Sequence, residues 1–178
     1  NLTLKSIFGL QWTRDYCSQV KYILKTDDDT YFNLPVLLQQ LPSLSNISLL
    51  GSLNSNAPVQ RQGLWQVNQA QFPQPTYPPY CSGCAYVLNQ DILSALVTAA
   101  KSIPMLPIED VYVTGLLAHS IGEQCKHATH FPYWYMGPSP KHICLLLNER
   151  IFGLHNVPYE SVYYIYSKIN SGHRCNIL

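Results

Sequence analysis

The chain has 178 residues, of which 47% are hydrophobic and 12% are charged, so it is long and apolar enough to form a globular domain rather than a disordered segment. Its formal net charge is +1. Because Lys and Arg are scattered singly, with no basic stripe, the sequence argues against nucleic acid as a partner. No apolar run reaches the roughly twenty residues that are needed to span a bilayer.

Strands and helices are predicted to alternate along the chain, which is typical of an α/β fold. Runs rich in β-branched and aromatic residues indicate strands, and apolar residues three or four apart indicate helices. The predicted helices are Leu2 to Cys17, a segment capped by Asn33 that runs to Leu41, Ile92 to Ala100, a segment that begins near Glu109, and a last helix that Pro158 opens and that runs to Ile169. The predicted strands are Val20 to Lys25, Leu49 to Leu53, Gly63 to Val67, Ala85 to Leu88, Cys144 to Leu147 and Ile151 to Leu154.

Six cysteines, an even number, are spread along the chain. Together with two N-glycosylation sequons, at Asn1 and Asn46, they favour a protein of the secretory pathway with disulfide bonds whose pairing stays open. Cys81 and Cys84 have the spacing of a zinc or redox motif, but no second pair with metal-ligand spacing follows. A structural disulfide or a buried thiol is therefore the favoured interpretation of this pair.

Three consecutive aspartates, Asp27 to Asp29, come just after the first predicted strand. If the backbone stays extended there, Asp27 and Asp29 point to one side and Asp28 to the other. Two carboxylates at the carboxyl end of a strand form part of an oxygen site for Mg²⁺ or Mn²⁺, with positions left for water or substrate phosphates. The run therefore predicts a metal site.

Two other interpretations of the aspartate run need weighing. An EF-hand loop requires glycine at its sixth position, where this chain has Phe32, so that motif is excluded. An Asx-rich turn that caps the following helix remains an alternative. Three adjacent like charges repel one another unless a cation or water relieves them, which favours the metal site.

The whole segment from Val20 to Asn33, which includes Lys-Thr-Asp-Asp-Asp-Thr-Tyr-Phe-Asn, resembles the signature of the β-1,3-galactosyltransferase family. That family also includes β-1,3-N-acetylglucosaminyltransferases. The resemblance continues at Asn1 to Lys5, at Tyr77 to Gly83 with Tyr86 to Leu88, and at Glu109 to Gly115. These blocks occur in the family's order and extend over nearly the full chain.

The resemblance implies a GT-A type fold, with a mixed sheet flanked by helices, in which residues 1–178 form the C-terminal portion of a single catalytic domain. It also implies a type II protein of the Golgi membrane, with a lumenal catalytic domain and a membrane anchor in a segment before residue 1. Two positions depart from the family pattern, namely Cys84-Ala85 in place of small residues such as glycine, and Leu64 in place of a common lysine. These departures leave the donor and acceptor preference open.

Glu109 and Asp110 begin a predicted helix just after Pro107. Carboxylates at a helix start interact with its N–H groups and its dipole, so the residues alone favour a capping role. The resemblance implies instead that Asp110 is the catalytic base, which takes the proton from an attacking sugar hydroxyl.

His155 ends the last predicted strand and stands shortly before Pro158, similar to the family's C-terminal pattern of His and then Pro. A lone histidine at a strand end is usually a solvated turn residue. The resemblance implies that its imidazole completes the metal site of Asp27 and Asp29.

The predicted function is that of an inverting hexosyltransferase that moves galactose from UDP-galactose to the 3-hydroxyl of a glycoprotein or glycolipid acceptor, in β linkage, with Mn²⁺ or Mg²⁺ as cofactor. N-acetylglucosamine is the alternative donor sugar, and a carbohydrate-binding pseudoenzyme and a metal-dependent phosphohydrolase are the rival functions. Aromatic rings suit the faces of sugars. The residues predicted to bind donor or acceptor are Asp28, Trp65, Tyr80, Gly83, Tyr86 and Glu109.

Overall fold

The computed structural model of the chain describes residues 1–44, 46–129, 131, 133–134, 140–147 and 151–171. The chain divides into two compact units, Asn1–Lys25 with Asn46–Ala128, and Thr26–Ser45 with Thr129–Leu178. The organisation of residues 1–178 as part of a single catalytic domain stays a prediction.

The elements alternate along the chain. The helices are α1 (Leu2–Tyr16), α2 (Leu34–Gln40), α3 (Leu93–Ala99), α4 (residues 109–120), α5 (Pro140–Leu147) and α6 (Tyr159–Asn170). The strands are β1 (Tyr22–Thr26), β2 (Tyr31–Phe32), β3 (Leu49–Asn54), β4 (Tyr80–Asn89), β5 (Lys126–His127), β6 (Tyr133–Trp134) and β7 (Gly153–His155). None of the helices in the described part of the chain has the length and hydropathy needed to cross a membrane.

The first unit is built on a four-stranded sheet with the strand order β1-β4-β3-β5. The sheet is mixed, because β3 runs antiparallel to β4 and parallel to β5. Helix α4 packs against β4, and α1 and α3 pack against α4. The core between them includes the fully buried Leu88, Leu96 and Leu117, each of which contributes about 1.5–3 kcal/mol by its burial.

Helix α4 departs from regular α-geometry. It is π-helical over Val111–Leu117, and the N–H of Ala118 reaches back to the carbonyl of Val113, five residues earlier. Asp110 is the N-cap of this segment, and its side chain accepts the N–H of Val111. Because π-helical turns are rare and concentrate at functional sites, the start of α4 is a place to look for chemistry.

The second unit contains a three-stranded sheet with the order β2-β7-β6. Strand β7 runs antiparallel to β2 and parallel to β6, so this sheet is mixed as well. Its described core contains Leu146 of α5, Leu154 of β7 and Ile165 of α6, all fully buried. The predicted α/β class, with mixed sheet and flanking helices, is therefore confirmed, in agreement with the GT-A type that the resemblance implies.

One predicted strand is replaced by a helix. Residues 144–147 lie in α5, which begins at Pro140. A short apolar run is common to buried strands and buried helices, so its pattern alone does not distinguish them. Proline at the first position of a helix is favourable because its φ angle is already suited and its missing N–H is not needed there.

A second predicted strand, at residues 63–67, is a turn. Gly63 has a φ of +84°, a left-handed conformation that favours glycine and breaks an extended strand. The carbonyl of Gly63 accepts the N–H of Gln66 at 3.3 Å. The guanidinium of Arg61 then holds the loop together by donating to the carbonyls of Val67, Phe72 and Gln74.

Candidate functional site

The aspartate run forms a turn directly after β1. The N–H of Thr30 donates to the carbonyl of Asp27 at 3.3 Å, so the extended arrangement predicted for Asp27, Asp28 and Asp29 is wrong. The turn nevertheless keeps Asp27 and Asp29 close together. The carbonyl of Asp29 also accepts the N–H of Val157 at 2.8 Å, which ties the turn to the segment that follows β7.

That tie brings His155, the last residue of β7, to the aspartates. One ligand atom from each of Asp27, Asp29 and His155 lies within 4.8 Å of the other two. Nε2 of His155 is 3.4 Å from Oδ1 of Asp29. The three predicted metal ligands are thus together in the second unit, although their binding of an ion stays a prediction. Asp28 is exposed and is not part of this group.

The donor atoms of this cluster suit a divalent cation. The Asp29 side chain as a whole is 46% exposed, but its Oδ1 is buried and accepts no hydrogen bond from any described residue. A carboxylate oxygen without a donor is costly to bury, and a cation would neutralise it. Two carboxylates and one imidazole are ligands that Mn²⁺ accepts, and Mg²⁺ accepts the carboxylates with water.

Asp110, the predicted base, lies at the start of α4 beside β4. Its Oδ2 accepts the N–H of Gly83 at 2.8 Å, and its Oδ1 accepts the N–H of Val111 at 2.9 Å. The hydroxyl of Thr114 donates to the Asp110 carbonyl at 2.6 Å and accepts the N–H of Cys81 at 2.9 Å. Hydrogen bonds to both strand and helix therefore fix the carboxylate.

The electrostatic surroundings of Asp110 oppose one another. Burial raises the pKa of its carboxyl group, the hydrogen bonds from Val111 and Gly83 lower it, Glu109 raises it and Lys25 lowers it, with a net shift upward. A carboxylate whose pKa is raised by burial is a better proton acceptor than an exposed aspartate. This is the property that a general base needs.

Glu109 is buried behind Asp110 rather than open to a ligand. It is 4% exposed, and its Oε1 accepts the hydroxyl of the fully buried Tyr86 at 2.6 Å. The ammonium of Lys25 lies 3.6 Å from its Oε2. In this structure neither Glu109 nor Tyr86 offers surface to a sugar, because their polar atoms face each other. Their predicted contact with donor or acceptor stays a prediction.

Lys25 is the residue of this site that the sequence-based prediction missed. Its Nζ donates to the carbonyl of Gly83, and its side chain is 15% exposed. A signal was present, since a lysine that follows Tyr22, Ile23 and Leu24 in a strand needs a partner if it is buried. The partner is 58 residues away in sequence, which periodicity does not reveal.

Of the predicted aromatic residues, Trp65 and Tyr80 differ in their exposure and in the element that carries them. Trp65 is 58% exposed in the loop that Arg61 holds together. Tyr80 begins β4, and its ring meets that of Tyr77 edge to face, with centroids 6.3 Å apart. Burial, with Asp110 and Tyr77 nearby, raises the pKa of Tyr80 to about 12, so its phenol stays neutral at physiological pH.

Cys81 and Cys84 do not form a metal site in the part of the chain that the structure describes. Cys81 is joined to Cys125 by a disulfide, and Cys84 is a buried thiol. Cys144 is disulfide-bonded as well. The prediction of a structural disulfide or a buried thiol at the Cys81 and Cys84 pair is therefore confirmed for both residues.

The two sequon asparagines are exposed. The side chain of Asn1 accepts the N–H of Leu4 at 3.4 Å and caps α1. Asn46 precedes β3. Exposure is a condition for glycosylation, and the modification itself stays a prediction.

Comparison with known proteins places these features in a family. The galactosyltransferase family model matches residues 1–129, which include β1, the aspartate turn, β4 and α4. The chain is 31% identical over 159 residues to beta-1,3-galactosyltransferase 5 of Homo sapiens, an alignment that covers 87% of this chain and 50% of that protein. It is 28% identical over 176 residues to beta-1,3-galactosyltransferase 1 of Mus musculus, covering 96% of this chain and 52% of that protein. The chain thus spans about half the length of these curated relatives. It belongs to the galactosyltransferase family.

Proposed function

We propose that the protein is an inverting hexosyltransferase that moves galactose from UDP-galactose to the 3-hydroxyl of an acceptor glycan, in β linkage. The acceptor is a glycoprotein or a glycolipid. The names of the two relatives support galactose and the β-1,3 linkage. The observation that carries the proposal is the cluster of Asp27, Asp29 and His155 in a member of this family.

Asp27, Asp29 and His155 are the residues that would hold a Mn²⁺ or Mg²⁺ ion. Such an ion supplies, when bound, positive charge for the diphosphate of a nucleotide sugar and for the departing nucleotide. The buried Oδ1 of Asp29, which accepts no hydrogen bond from the described residues, supports this assignment. The turn of residues 27–30 and the bond from Val157 to Asp29 hold the carboxylates in place without the ion.

Asp110 would act as general base in a single displacement. Its carboxylate takes the proton of the acceptor hydroxyl as the hydroxyl oxygen bonds to the anomeric carbon of the donor. The bond from that carbon to the diphosphate oxygen breaks, and its electron pair leaves with UDP. One displacement inverts the anomeric configuration, and a positioned base contributes about a hundred- to ten-thousand-fold to such a rate.

Three rival functions remain distinct from this proposal. A β-1,3-N-acetylglucosaminyltransferase would use the same residues with another donor. A carbohydrate-binding pseudoenzyme would have no need of the raised pKa of Asp110. A metal-dependent phosphohydrolase normally has more His and Asp ligands than the three that cluster in the described residues, and it would release product without an acceptor.

The compartment is part of the proposal. A Golgi protein with a lumenal catalytic domain and a membrane anchor folds in an oxidising lumen, where disulfides such as Cys81–Cys125 persist. The exposed sequons at Asn1 and Asn46 agree with that location. Fractionation of cells expressing the full-length protein, with endoglycosidase treatment, tests it.

A donor screen on the full-length protein tests the activity. UDP-galactose, UDP-N-acetylglucosamine and UDP-N-acetylgalactosamine are each supplied with Mn²⁺ and an acceptor that has a free 3-hydroxyl, and the product is analysed by NMR. We expect a new β-1,3 galactosyl linkage with inverted configuration. Transfer from UDP-N-acetylglucosamine alone would change the donor, UDP-sugar binding without turnover would favour the pseudoenzyme, and release of UDP or phosphate without an acceptor would favour the hydrolase.

A further inference from the structure

The partly buried ammonium of Lys25 connects β1 to β4 and α4. It donates to the carbonyl of Gly83 and lies 3.6 Å from Oε2 of Glu109. That Oε2 is buried and accepts no hydrogen bond from the described residues, while Oε1 accepts the hydroxyl of Tyr86. The ammonium therefore binds the backbone of Gly83 as well as the carboxylate of Glu109.

Both backbone polar groups of Gly83, its carbonyl and its N–H, have hydrogen-bond partners. Lys25 binds its carbonyl, and its N–H donates to Oδ2 of Asp110 at 2.8 Å. A Cβ atom at this position would lie 3.2 Å from the same Oδ2, so the strand and the carboxylate are in close contact. A shift of the Gly83 backbone would consequently move the donor on which the Asp110 carboxylate depends.

We propose that Lys25 is a positioning residue for the carboxylate of Asp110, acting through the backbone of Gly83. The inference rests on the proposed function, in which Asp110 accepts the proton of the acceptor hydroxyl. In this role Lys25 acts on Asp110 through Gly83 and not on the reacting atoms. Its contribution is to keep the base in one geometry, and a misplacement of about 1 Å can cost about a hundredfold in rate.

The charge of Lys25 affects the pKa of Asp110, so the proposed role can be tested through the pH dependence of the reaction. The charged and titratable groups that act on Asp110 are Lys25 on β1, Glu109 on its own helix, Tyr77 in the loop before β4, and Tyr80 at the start of β4. Lys25 lowers the pKa of Asp110, and Glu109 raises it. Removing one charge or the other must therefore move the ionisation of the base in opposite directions.

The experiment compares four variants of the full-length protein. Lys25→Met keeps the length of the side chain and removes its charge and its donors. Glu109→Gln keeps the bond from Tyr86 and removes the negative charge, and a double variant removes both charges. Lys101→Met, at an exposed lysine after α3, is the matched control. The readouts are kcat, KM for the donor, Mn²⁺ dependence and the acid limb of the pH profile of kcat/KM.

Lys25→Met should lower kcat by about 10- to 100-fold, leave KM for the donor and the Mn²⁺ dependence unchanged, and move the acid limb to higher pH. Glu109→Gln should move the acid limb to lower pH with a smaller loss of kcat. The double variant should keep the loss of kcat, because the anchor on Gly83 is gone, and should have an acid limb between those of the single variants. Lys101→Met should behave as wild type.

A folded Lys25→Met protein with the wild-type acid limb and a kcat within about twofold of wild type would overturn the inference. Loss of one partner leaves a buried charge uncompensated, so Lys25→Met can fail to fold. The double variant then decides, because it buries no unpaired charge, and a wild-type kcat in it would overturn the inference as well. A wild-type protein without transfer activity would instead contradict the proposed function.

Discussion

Oδ2 of Asp110 lies 2.8 Å from the amide nitrogen of Gly83, and a Cβ atom built on Gly83 would lie 3.2 Å from that same oxygen. A methyl group at this distance displaces either the strand or the carboxylate. This close approach favours glycine at residue 83, and the atoms that would have to give way belong to the Asp110 side chain.

Gly83→Ala should therefore lower kcat by about 10- to 100-fold through displacement of the base, with KM for the donor unchanged. Steady-state kinetics over a range of donor concentrations measures both. The matched control is Gly9→Ala on the exposed face of α1, where a Cβ atom meets nothing within 4 Å. That change should stabilise the protein by about 0.5–1 kcal/mol, and equal losses of activity in both variants would contradict the prediction.

Asp110→Asn should lower kcat by about a hundred- to ten-thousand-fold, because it preserves size but removes the proton acceptor. Glu109→Gln should be much milder. Donor affinity, measured by calorimetry with UDP, should be nearly unchanged in both. An Asp110→Asn protein that turns over near the wild-type rate, or a dead Glu109→Gln protein, would show that the base has been assigned to the wrong residue.

The pH profile of kcat/KM should have an acid limb above the range of an exposed aspartate, about 3.9. Burial raises the pKa of Asp110, and the base works only when ionised, so activity falls as the pH drops through the raised value. The raised pKa of Asp110 affects folding stability in the opposite direction, since it favours the folded protein at low pH. The contribution of Asp110 to the free energy of unfolding is fully present below the pKa that its carboxyl group has in the unfolded chain. It is lost as the pH rises through the raised pKa of the folded protein. An acid limb that persists unchanged in the residual activity of Asp110→Asn would point to another group.

Binding of Mn²⁺ should depend on the cluster of Asp27, Asp29 and His155. Asp29→Ala should abolish the stimulation of UDP binding by Mn²⁺, together with activity, because the buried Oδ1 of Asp29 lies 3.4 Å from Nε2 of His155 and is one of the predicted ligand atoms. Glu160→Ala, an exposed carboxylate in the first turn of α6, is the control in the same unit. Transfer activity that survives exhaustive chelation would rule out this role for the cluster.

The disulfide between Cys81 and Cys125 closes a loop with a sequence separation of 44 residues, which by loop entropy stabilises the fold by about 4 kcal/mol. Replacing both cysteines by serine should lower the free energy of unfolding by that amount or less. Urea denaturation followed by tryptophan fluorescence measures it. Cys17→Ser, at a thiol outside any disulfide, should have little effect, and a loss as large as that of the double variant would contradict the assignment.

Local features were predictable because they depend on neighbouring residues. The helix at Leu2–Tyr16, the strand before the aspartates and the helix start at Glu109 follow from capping residues and apolar spacing. A turn at the aspartates was only the alternative interpretation, because the favoured one used period-two alternation, which assumes a backbone that stays extended. The carboxylates of Asp27 and Asp29 come together all the same, for a different reason.

Contacts between residues far apart in the chain could not be predicted from residue spacing and periodicity. Cys81 could have paired with any of the other cysteines, since spacing alone does not decide pairing. The bond from Lys25 to Gly83 joins residues 58 apart, and His155 reaches the aspartate turn through the pairing of β2 with β7 and the bond from Val157 to Asp29. Such contacts depend on strand order, which an isolated sequence does not specify.

The π-helical segment of α4 determines the direction around the helix axis in which the side chain of Asp110 points. In an α-helix each residue advances the chain by about 100° around the axis, whereas a π-turn, which bonds an N–H to the carbonyl five residues earlier, fits one extra residue into the same rotation. The same residues wound as a regular α-helix would rotate Asp110 by about that angle relative to the buried Leu117 and Ala118. The carboxylate of Asp110 would then turn away from β4. The extra residue of the π-turn thus makes α4 less regular and keeps the carboxylate of Asp110 directed toward β4.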